Sequence, residues 1–198
     1  VPATTAQQYD LMFSDYAENC NNASISEYGE YKGVPLAFNH ALSSIKFQIV
    51  KNAKITGTAT LKSITISGVN YKGDLSWNAD GSEAWTVTNE AIATPYTVFA
   101  GGTEQTFTTT ETLAQDYDVL LLPQVLTDDA KVTIVYKLDG TEYTKTFKLN
   151  TLSNTSETIS EWKMGTRYTY VISLDADIIY FAPKPATWTD VTGIVIAL

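Results

Sequence analysis

The chain has 198 residues, of which 44% are hydrophobic, and this is enough for one large domain or for one domain and part of another. Its formal net charge of −9 disfavours nucleic acids and anionic membrane surfaces as partners, because both would repel it. No apolar run reaches the roughly 18 residues that a membrane-spanning helix needs.

Residues 1–35 differ in composition from the rest of the chain. One short strand is predicted at Tyr9–Phe13, and a long loop that is rich in Asn and Gly follows it. We therefore predict that residues 1–35 are the tail of a preceding N-terminal domain plus a linker, and that residues 36–198 form the C-terminal domain. The polar start at Val1 is typical of a mature, truncated or processed end, so the lack of a signal peptide does not bear on localisation.

From residue 36 onwards short strands follow one another, separated by turns. Ile45, Phe47 and Ile49 alternate with more polar residues, as in a strand that buries one face. The run Tyr117–Leu122 is almost continuously apolar, which indicates a strand buried on both faces. Further strands are predicted at Thr58–Ser67, Trp85–Val87 and Tyr96–Ala100, the last of them closed by Gly101-Gly102. Tyr71–Leu75 contains Gly73 and is predicted to be a turn that leads to a short strand.

The second half of the chain carries a strong hairpin signal. Asp139-Gly140 separates the strand-like runs Val132–Leu138 and Tyr143–Leu149, and glycine tolerates the positive φ of a tight hairpin turn. The one helical candidate is a turn at Ser160–Gly165, with a capping serine and a terminating glycine. The remaining strands are predicted at Arg167–Leu174, at Ile178–Phe181 before Pro183, and at the alternating residues Ile194, Ile196 and Leu198.

Many short strands with turns between them predict an all-β fold. Thr is the commonest residue and Tyr is frequent, and such β-branched and aromatic side chains suit a pleated, half-buried surface. The number and spacing of the strands are typical of a β-sandwich of about seven or more mostly antiparallel strands.

Few residues suggest catalysis or metal binding. His40 is the single histidine and Cys20 the single cysteine, which excludes a multi-histidine metal site and an internal disulfide. We expect His40 to be hydrogen-bonded within the fold and Cys20 to be an unreactive free thiol. Both interpretations are favoured over a Cys20–His40 catalytic dyad. The pairs Asp116/Asp118, Asp128/Asp129 and Asp175/Asp177 lack the spacing of an EF-hand, so solvated turns are favoured over calcium sites. We expect no enzyme activity, no metal and no cofactor.

The four tryptophans leave a binding function open. A glycan-binding platform, on which sugar rings stack, could be formed by Trp77, Trp85, Trp162 and Trp188. Aromatic residues in strands, however, more often fill the core. A surface glycan-binding β-sandwich lipoprotein is therefore an alternative to a structural role.

A set of weak motifs occurs in a recognisable order along the chain. A Phe-x-His-Ala-Leu-Ser start opens Phe38–Ile49, Leu-Pro-Gln ends Leu121–Gln124, and Trp-x-x-Gly-x-x-Tyr-x-Tyr spans Trp162–Tyr170. Trp188–Val191 precedes the last predicted strand, and Asp10–Met12 carries an Asp-Leu-Met signature. The Asp-Leu-Met signature resembles the end of the N-terminal domain of a fimbrillin, and the other four motifs, in this order, resemble its C-terminal half. Fimbrillins are pilin-like surface lipoproteins of Bacteroides and Porphyromonas.

The resemblance implies a transthyretin-like β-sandwich and a subunit of a cell-surface fimbria, structural or adhesive. It implies export as a lipoprotein to the outer membrane or surface of a Gram-negative anaerobe. Other fimbrial subunits are the implied partners, and a host protein or glycan is a further candidate partner. It also implies assembly by strand donation, in which an open sheet edge or groove accepts a strand from the next subunit. The candidate donor has the required alternation, and an ordinary final strand of its own domain is the alternative; its residues are Gly193, Ile194, Val195, Ile196, Ala197 and Leu198.

Overall fold

The computed structural model describes residues 1–2, 7–14, 37–77, 83–114, 118–152, 158–175 and 179–187. Within these ranges the regular structure is β-strand apart from short helical turns such as the 3-10 turn Leu149–Thr151, and none of it is a helix able to span a membrane. The strands are β1 (Met12–Ser14), β2 (Phe38–His40), β3 (Ser43–Lys51), β4 (Ala59–Ser67), β5 (Gly73–Trp77), β6 (Glu83–Val87), β7 (Tyr96–Thr106), β8 (Thr112–Leu113), β9 (Val119–Leu121), β10 (Gln124–Val125), β11 (Lys131–Leu138), β12 (Thr141–Lys148), β13 (Glu161–Trp162), β14 (Thr166–Leu174) and β15 (Ile179–Thr187).

Two larger sheets make up the body of the fold. One has four strands in the order β12-β11-β4-β7, and the other has the order β15-β14-β3-β8, with β9 also paired to β3. The pairs β1-β2, β5-β6 and β10-β13 are small two-stranded sheets. Among these pairings only β3 with β14 is parallel. The predicted all-β, mostly antiparallel sandwich is confirmed, whereas its transthyretin-like character stays a prediction.

The core lies between these sheets and follows the predicted alternation. Ile45, Phe47 and Ile49 of β3 are fully buried. Val132 and Ile134 of β11, in the other large sheet, are also fully buried and belong to the same apolar cluster. Alternate side chains of a strand point to opposite faces, so this period-2 pattern places one face of each sheet in the core. The run Val119–Leu122 is buried throughout, as predicted for a strand covered on both faces.

The predicted hairpin is confirmed. β11 and β12 pair from Leu138↔Thr141 to Lys131↔Lys148 around a two-residue turn. Asp139 has φ 49° and Gly140 has φ 82°, and two successive residues in the left-handed region are what a type I′ turn requires. The sequence Asp-Gly therefore fixes both the turn and the register of this strand pair.

The predicted helical turn at Ser160–Gly165 is wrong. Instead, the carbonyl of Ser160 accepts a bond from the N–H of Leu126 (2.8 Å), and Glu161–Trp162 pairs with β10. Gly165 does lie at a turn, with φ 62°, but its N–H bonds to the carbonyl of Leu42. The backbone of residues 160–162 is thus hydrogen-bonded to a strand that is distant in sequence, and it does not need the local hydrogen bonds of a helical turn.

Two predicted strand ends are also wrong. β7 does not stop at Gly101-Gly102 but continues to Thr106, with irregular register against β4. β15 does not stop before Pro183 but runs to Thr187. Both strands lie at the edge of their sheet, where glycine-containing bulges and prolines are tolerated.

Residues 11–14 contact the sandwich. β1 pairs with β2, Phe13 is buried, and the N–H of Ala41 donates to the carbonyl of Leu11 at 2.8 Å. The predicted strand at Tyr9–Phe13 is thus present but shifted towards residue 14. The domain boundary after residue 35 stays a prediction.

Candidate functional site

The candidate donor strand lies outside the part of the chain that the structure describes. It comprises residues 193–198, and Cys20 and Trp188 lie outside that part as well. Whether that segment is donated or forms a final strand of its own domain therefore stays a prediction, and so does the Cys20–His40 dyad.

His40 is hydrogen-bonded within the fold, as expected. Its Nδ1 lies 2.7 Å from Oδ2 of Asp10, so the end of β2 is tied to the segment that leads into β1. This contact adds a side-chain link at one end of the short β1-β2 sheet. An orienting carboxylate for His40 was not anticipated from the sequence, because Asp10 lies thirty positions away.

One carboxylate from each of two acidic pairs, Asp118 and Asp128, binds a basic side chain. Asp118 lies beside β9 and accepts bonds from Arg167 Nε (3.0 Å) and Ser44 Oγ (2.5 Å), while Lys46 Nζ lies 3.2 Å from its other oxygen. A solvated turn was expected here and is wrong, since this carboxylate is mostly buried and joins β9, β3 and β14. The described residues contain no group of three or more His, Cys, Asp or Glu side chains able to hold a metal ion.

Asp128, in contrast to Asp118, is a solvent-exposed turn residue, as expected. It accepts bonds from Lys148 Nζ at 2.6 Å and from Asn150 Nδ2 at 2.8 Å. The hydrogen bond from Lys148, followed by that from Asn150, lowers the pKa of Asp128. The carboxylate thus secures the end of β12 to the loop before β11.

The tryptophans do not form one platform. Trp162 is buried in the core, where its Nε1 donates to the hydroxyl of Tyr170 at 2.9 Å. The indole of Trp85 is half-buried and donates from Nε1 to the carbonyl of Ala41 at 2.6 Å. The side chain of Trp77 is not among those described. A platform that includes Trp162 is therefore excluded, and Trp85 remains a candidate.

An open apolar cleft of about 390 Å³ lies between the N-terminal residues and the β5-β6 hairpin. Leu42 and Leu122 form its floor as part of a small cluster on which Trp85 packs. Tyr9, which also lines the cleft, is 86% exposed. The cleft is the larger of the two described surface depressions that Trp85 lines.

Sheet edges are the other surfaces with binding capacity, because an extended segment can pair with them through main-chain hydrogen bonds. In β15, Pro183 stands opposite Tyr170 and Pro185 opposite Tyr168. A proline within a ladder must turn its nitrogen, which has no hydrogen, away from the partner strand. The two prolines therefore remove two N–H donors from the outer edge of β15, and a regular ladder cannot extend there.

The edges formed by β7, β8 and β9 are irregular. In β7 the register against β4 shifts twice, and Gly101–Glu104 fall between the two paired stretches. β8 and β9 have only two and three residues, and each pairs with a different part of β3. Bulges and short strands of this kind make a sheet edge less able to pair with a further strand.

The edge formed by β12 is the regular one. It pairs with β11 over all eight of its residues without a register shift, and no other described strand pairs with its outer side. Residues Thr141–Thr146 are all exposed. β12 contains neither proline nor glycine, so its outer edge presents an unbroken row of main-chain donors and acceptors.

Comparison with known proteins identifies the family. The sequence model described as fimbrillin-like matches residues 1–189. Comparison with curated proteins gave no match. Among solved structures, a fimbrial protein of Bacteroides vulgatus has a TM-score of 0.50 at 14% identity, with 82% of this chain and 59% of that one covered. A proposed cell adhesion protein of Bacteroides uniformis has a TM-score of 0.48 at 16% identity, with 79% and 54% covered.

The chain thus spans between about half and three fifths of the length of these two structures. At such low identity, the likeness to the B. vulgatus protein is one of fold. The family model, in contrast, covers nearly the whole sequence. This chain belongs to the fimbrillin-like family.

Proposed function

We propose that this protein is a structural or adhesive subunit of a cell-surface fimbria, and that it has no enzyme activity. The observation that carries the proposal is the match of the fimbrillin-like family model to residues 1–189. The proposed location is the surface or outer membrane of a Gram-negative anaerobe, with a lipoprotein form of the full protein as the precursor. Other fimbrial subunits are the proposed partners.

We propose strand donation as the mode of assembly. The segment Gly193–Leu198 is the proposed donor, because Ile194, Ile196 and Leu198 alternate as a strand that fills apolar positions must. A regular, exposed strand edge at β12 supports the proposal from the acceptor side. Main-chain hydrogen bonds would supply affinity, and the alternating side chains would supply specificity.

The test replaces the apolar face of the donor and leaves the rest of the chain unchanged. A variant with Ile194→Asp and Ile196→Asp should lose fibres that are labelled by antibody to this chain in electron micrographs of producing cells. Its matched control, Val195→Asp with Ala197→Asp, changes the opposite face of the same segment and should retain them. Unchanged fibres in the first variant would refute donation by this segment.

A glycan-binding surface protein is the second candidate, because Tyr9, Tyr71 and Trp85 line the open cleft. Aromatic rings at an exposed cleft can stack on sugars. In affinity gels that contain bacterial or host polysaccharides, retarded migration that Trp85→Ala abolishes would favour this candidate. Binding that persists in Trp85→Ala, or no binding, would count against it.

A further inference from the structure

Two aromatic rings that line the open cleft are held in place by their own hydrogen bonds. The Nε1 of Trp85 donates to the carbonyl of Ala41 at 2.6 Å. The hydroxyl of Tyr71 donates to Oε1 of Glu90 at 2.8 Å. Both residues are partly buried. Because neither ring has to be ordered when a ligand binds, the entropic cost of binding in this cleft is low.

The floor of the cleft is apolar and closely packed. Leu42 is 4% exposed and Leu122 is 2% exposed. Gly73 also lines the cleft, and a Cβ at this position would lie 3.4 Å from Cε3 of Trp85, so the glycine leaves that part of the indole uncovered. The volume of about 390 Å³ falls within the range of roughly 300–1,000 Å³ that is usual for small-molecule sites. One apolar face of a ring-shaped ligand can therefore lie against the cleft.

Much of the polar lining of the cleft is already engaged within the fold. Oε1 of Gln8 accepts from the N–H of Leu120 at 2.8 Å, and its Nε2 donates to the carbonyl of Pro2 at 2.9 Å. A ligand in the cleft must therefore keep water as the partner for most of its polar groups, and an open cleft permits this. A sugar ring that stacks by its C–H face and leaves its hydroxyl groups in water meets this requirement. A long acyl chain does not, because it gains most from a site that encloses it on all sides.

The cleft carries one charged side chain. Among the described residues that line it, this is Lys72, which is exposed. In the described part of the chain no carboxylate lies within ion-pair distance of Lys72, whereas several other lysines have such a partner, namely Lys46, Lys62, Lys137 and Lys148. The nearby Glu90 is not a lining residue, and its carboxylate accepts the bond from Tyr71. With a net charge of −9 the chain as a whole repels anions, so a free cation at an aromatic cleft selects locally for a negative group.

We propose that the cleft binds a pyranose that carries a carboxylate, such as a uronic acid unit of an acidic polysaccharide. The apolar face of the sugar stacks on Trp85, and the carboxylate pairs with the ammonium group of Lys72. The proposal rests on the glycan-binding role offered as the second candidate function, and it adds the class of sugar and the residue that selects it.

The test compares two sugars that differ at one group. Methyl β-D-glucuronide has a carboxylate where methyl β-D-glucoside has a hydroxymethyl group. In titrations of the ¹⁵N-labelled chain at low salt, followed by NMR, the glucuronide should bind about two- to fivefold tighter, which is the contribution of an exposed ion pair. The difference should disappear at about 1 M salt, where charges are screened within about 3 Å. Acetate at the same concentration, which has the carboxylate without the ring, should leave the spectrum unchanged.

A pair of lysine variants assigns the preference to one side chain. Lys72→Gln should remove the difference between the two sugars and leave the affinity for the glucoside unchanged. The matched control Lys54→Gln removes the same charge from another exposed lysine, which does not line the cleft, and should keep the difference. Both positions are exposed, so both variants should retain the thermal transition of the wild type.

The indole N–H signals of the tryptophans show where the sugar binds. Trp85→Phe and Trp162→Phe identify the signals of these two residues. Either sugar should shift the Trp85 signal and leave the Trp162 signal in place, because Trp162 borders the second depression and not the cleft. Shifts of both signals would place the sugar in the second depression, which Trp85 also lines, and would overturn the proposed site.

The outcomes separate this inference from the functions on which it depends. Equal affinities for the two sugars, with the Trp85 signal shifted by both, would leave glycan binding standing and overturn the acidic sugar as the ligand. A preference for the glucuronide that survives Lys72→Gln would also overturn the proposal. No shift with either sugar would count against the glycan-binding role as well, whereas the role as a fimbrial subunit is tested independently by the fibres.

Discussion

The hydrogen bond between Trp162 and Tyr170 is expected to be the most sensitive polar contact of the core. Trp162 is 1% exposed and Tyr170 is 0% exposed, and the indole Nε1 of Trp162 donates to the phenol oxygen of Tyr170 at 2.9 Å. Tyr170→Phe leaves the buried indole N–H without this partner, which costs about 1–3 kcal/mol. For a chain of this size that corresponds to a fall in Tm of about 2–12 °C.

Truncation should cost more than loss of the hydroxyl. Trp162→Ala and Tyr170→Ala each remove a large buried ring, so we expect about 3–5 kcal/mol from either. In the double variant Trp162→Phe with Tyr170→Phe both hydrogen-bonding groups are gone, and its loss should be smaller than the sum of the single losses by about 1–2 kcal/mol.

Urea denaturation followed by far-UV circular dichroism measures these differences. Tyr143→Phe is the control, because its ring is 41% exposed and stacks on Tyr136 rather than filling the core. Its free energy of unfolding should change by less than about 0.5 kcal/mol. A midpoint for Tyr170→Phe equal to that of Tyr143→Phe, or additive losses in the double variant, would refute the described geometry of this contact.

Two further predictions concern a carboxylate and a glycine. The hydrogen bond from Lys137 lowers the pKa of Glu104, so its contribution to stability is present above its unfolded-state pKa and is lost as the pH falls through the lower, folded-state value. Urea midpoints of Glu104→Gln should therefore fall less steeply on acidification than those of the wild type, and parallel profiles would contradict this. Gly68 has φ 68°, and a Cβ there would lie 1.8 Å from the carbonyl oxygen of Asp129, so Gly68→Ala should cost more than about 2 kcal/mol in thermal melts. Gly102→Ala, where a Cβ meets nothing within 4 Å, should be neutral or stabilising, and equal melting curves for the two variants would be contrary evidence.

Features of the fold that depend on neighbouring residues could be predicted from the sequence. The alternation of Ile45, Phe47 and Ile49 indicates that β3 is a half-buried strand. The pair Asp139-Gly140 indicates the β11-β12 hairpin, because these residues tolerate the positive φ angles of its turn. The strand ends were less predictable. Gly101 and Pro183 look like stops in the sequence, but each lies in an edge strand, where one side of the backbone needs no partner.

Features that depend on strand order could not be predicted. Asp118 meets Arg167 only because β9 and β14 both flank β3. Likewise, the sequence of β12 does not reveal that it lies at an edge, since this follows from β11 lying between it and β4. The candidate donor was visible as an alternating pattern at residues 194–198, whereas its proposed acceptor required the order of the sheet.

The most direct test of the account is an SDS gel of surface material from cells that produce this chain, run without boiling and probed with antibody to it. We predict a ladder of resistant bands, spaced by one subunit, that collapses to monomer on boiling and is absent when residues 193–198 are deleted. A single monomer band from unboiled wild-type material, with the protein present at the surface, would contradict assembly by strand donation.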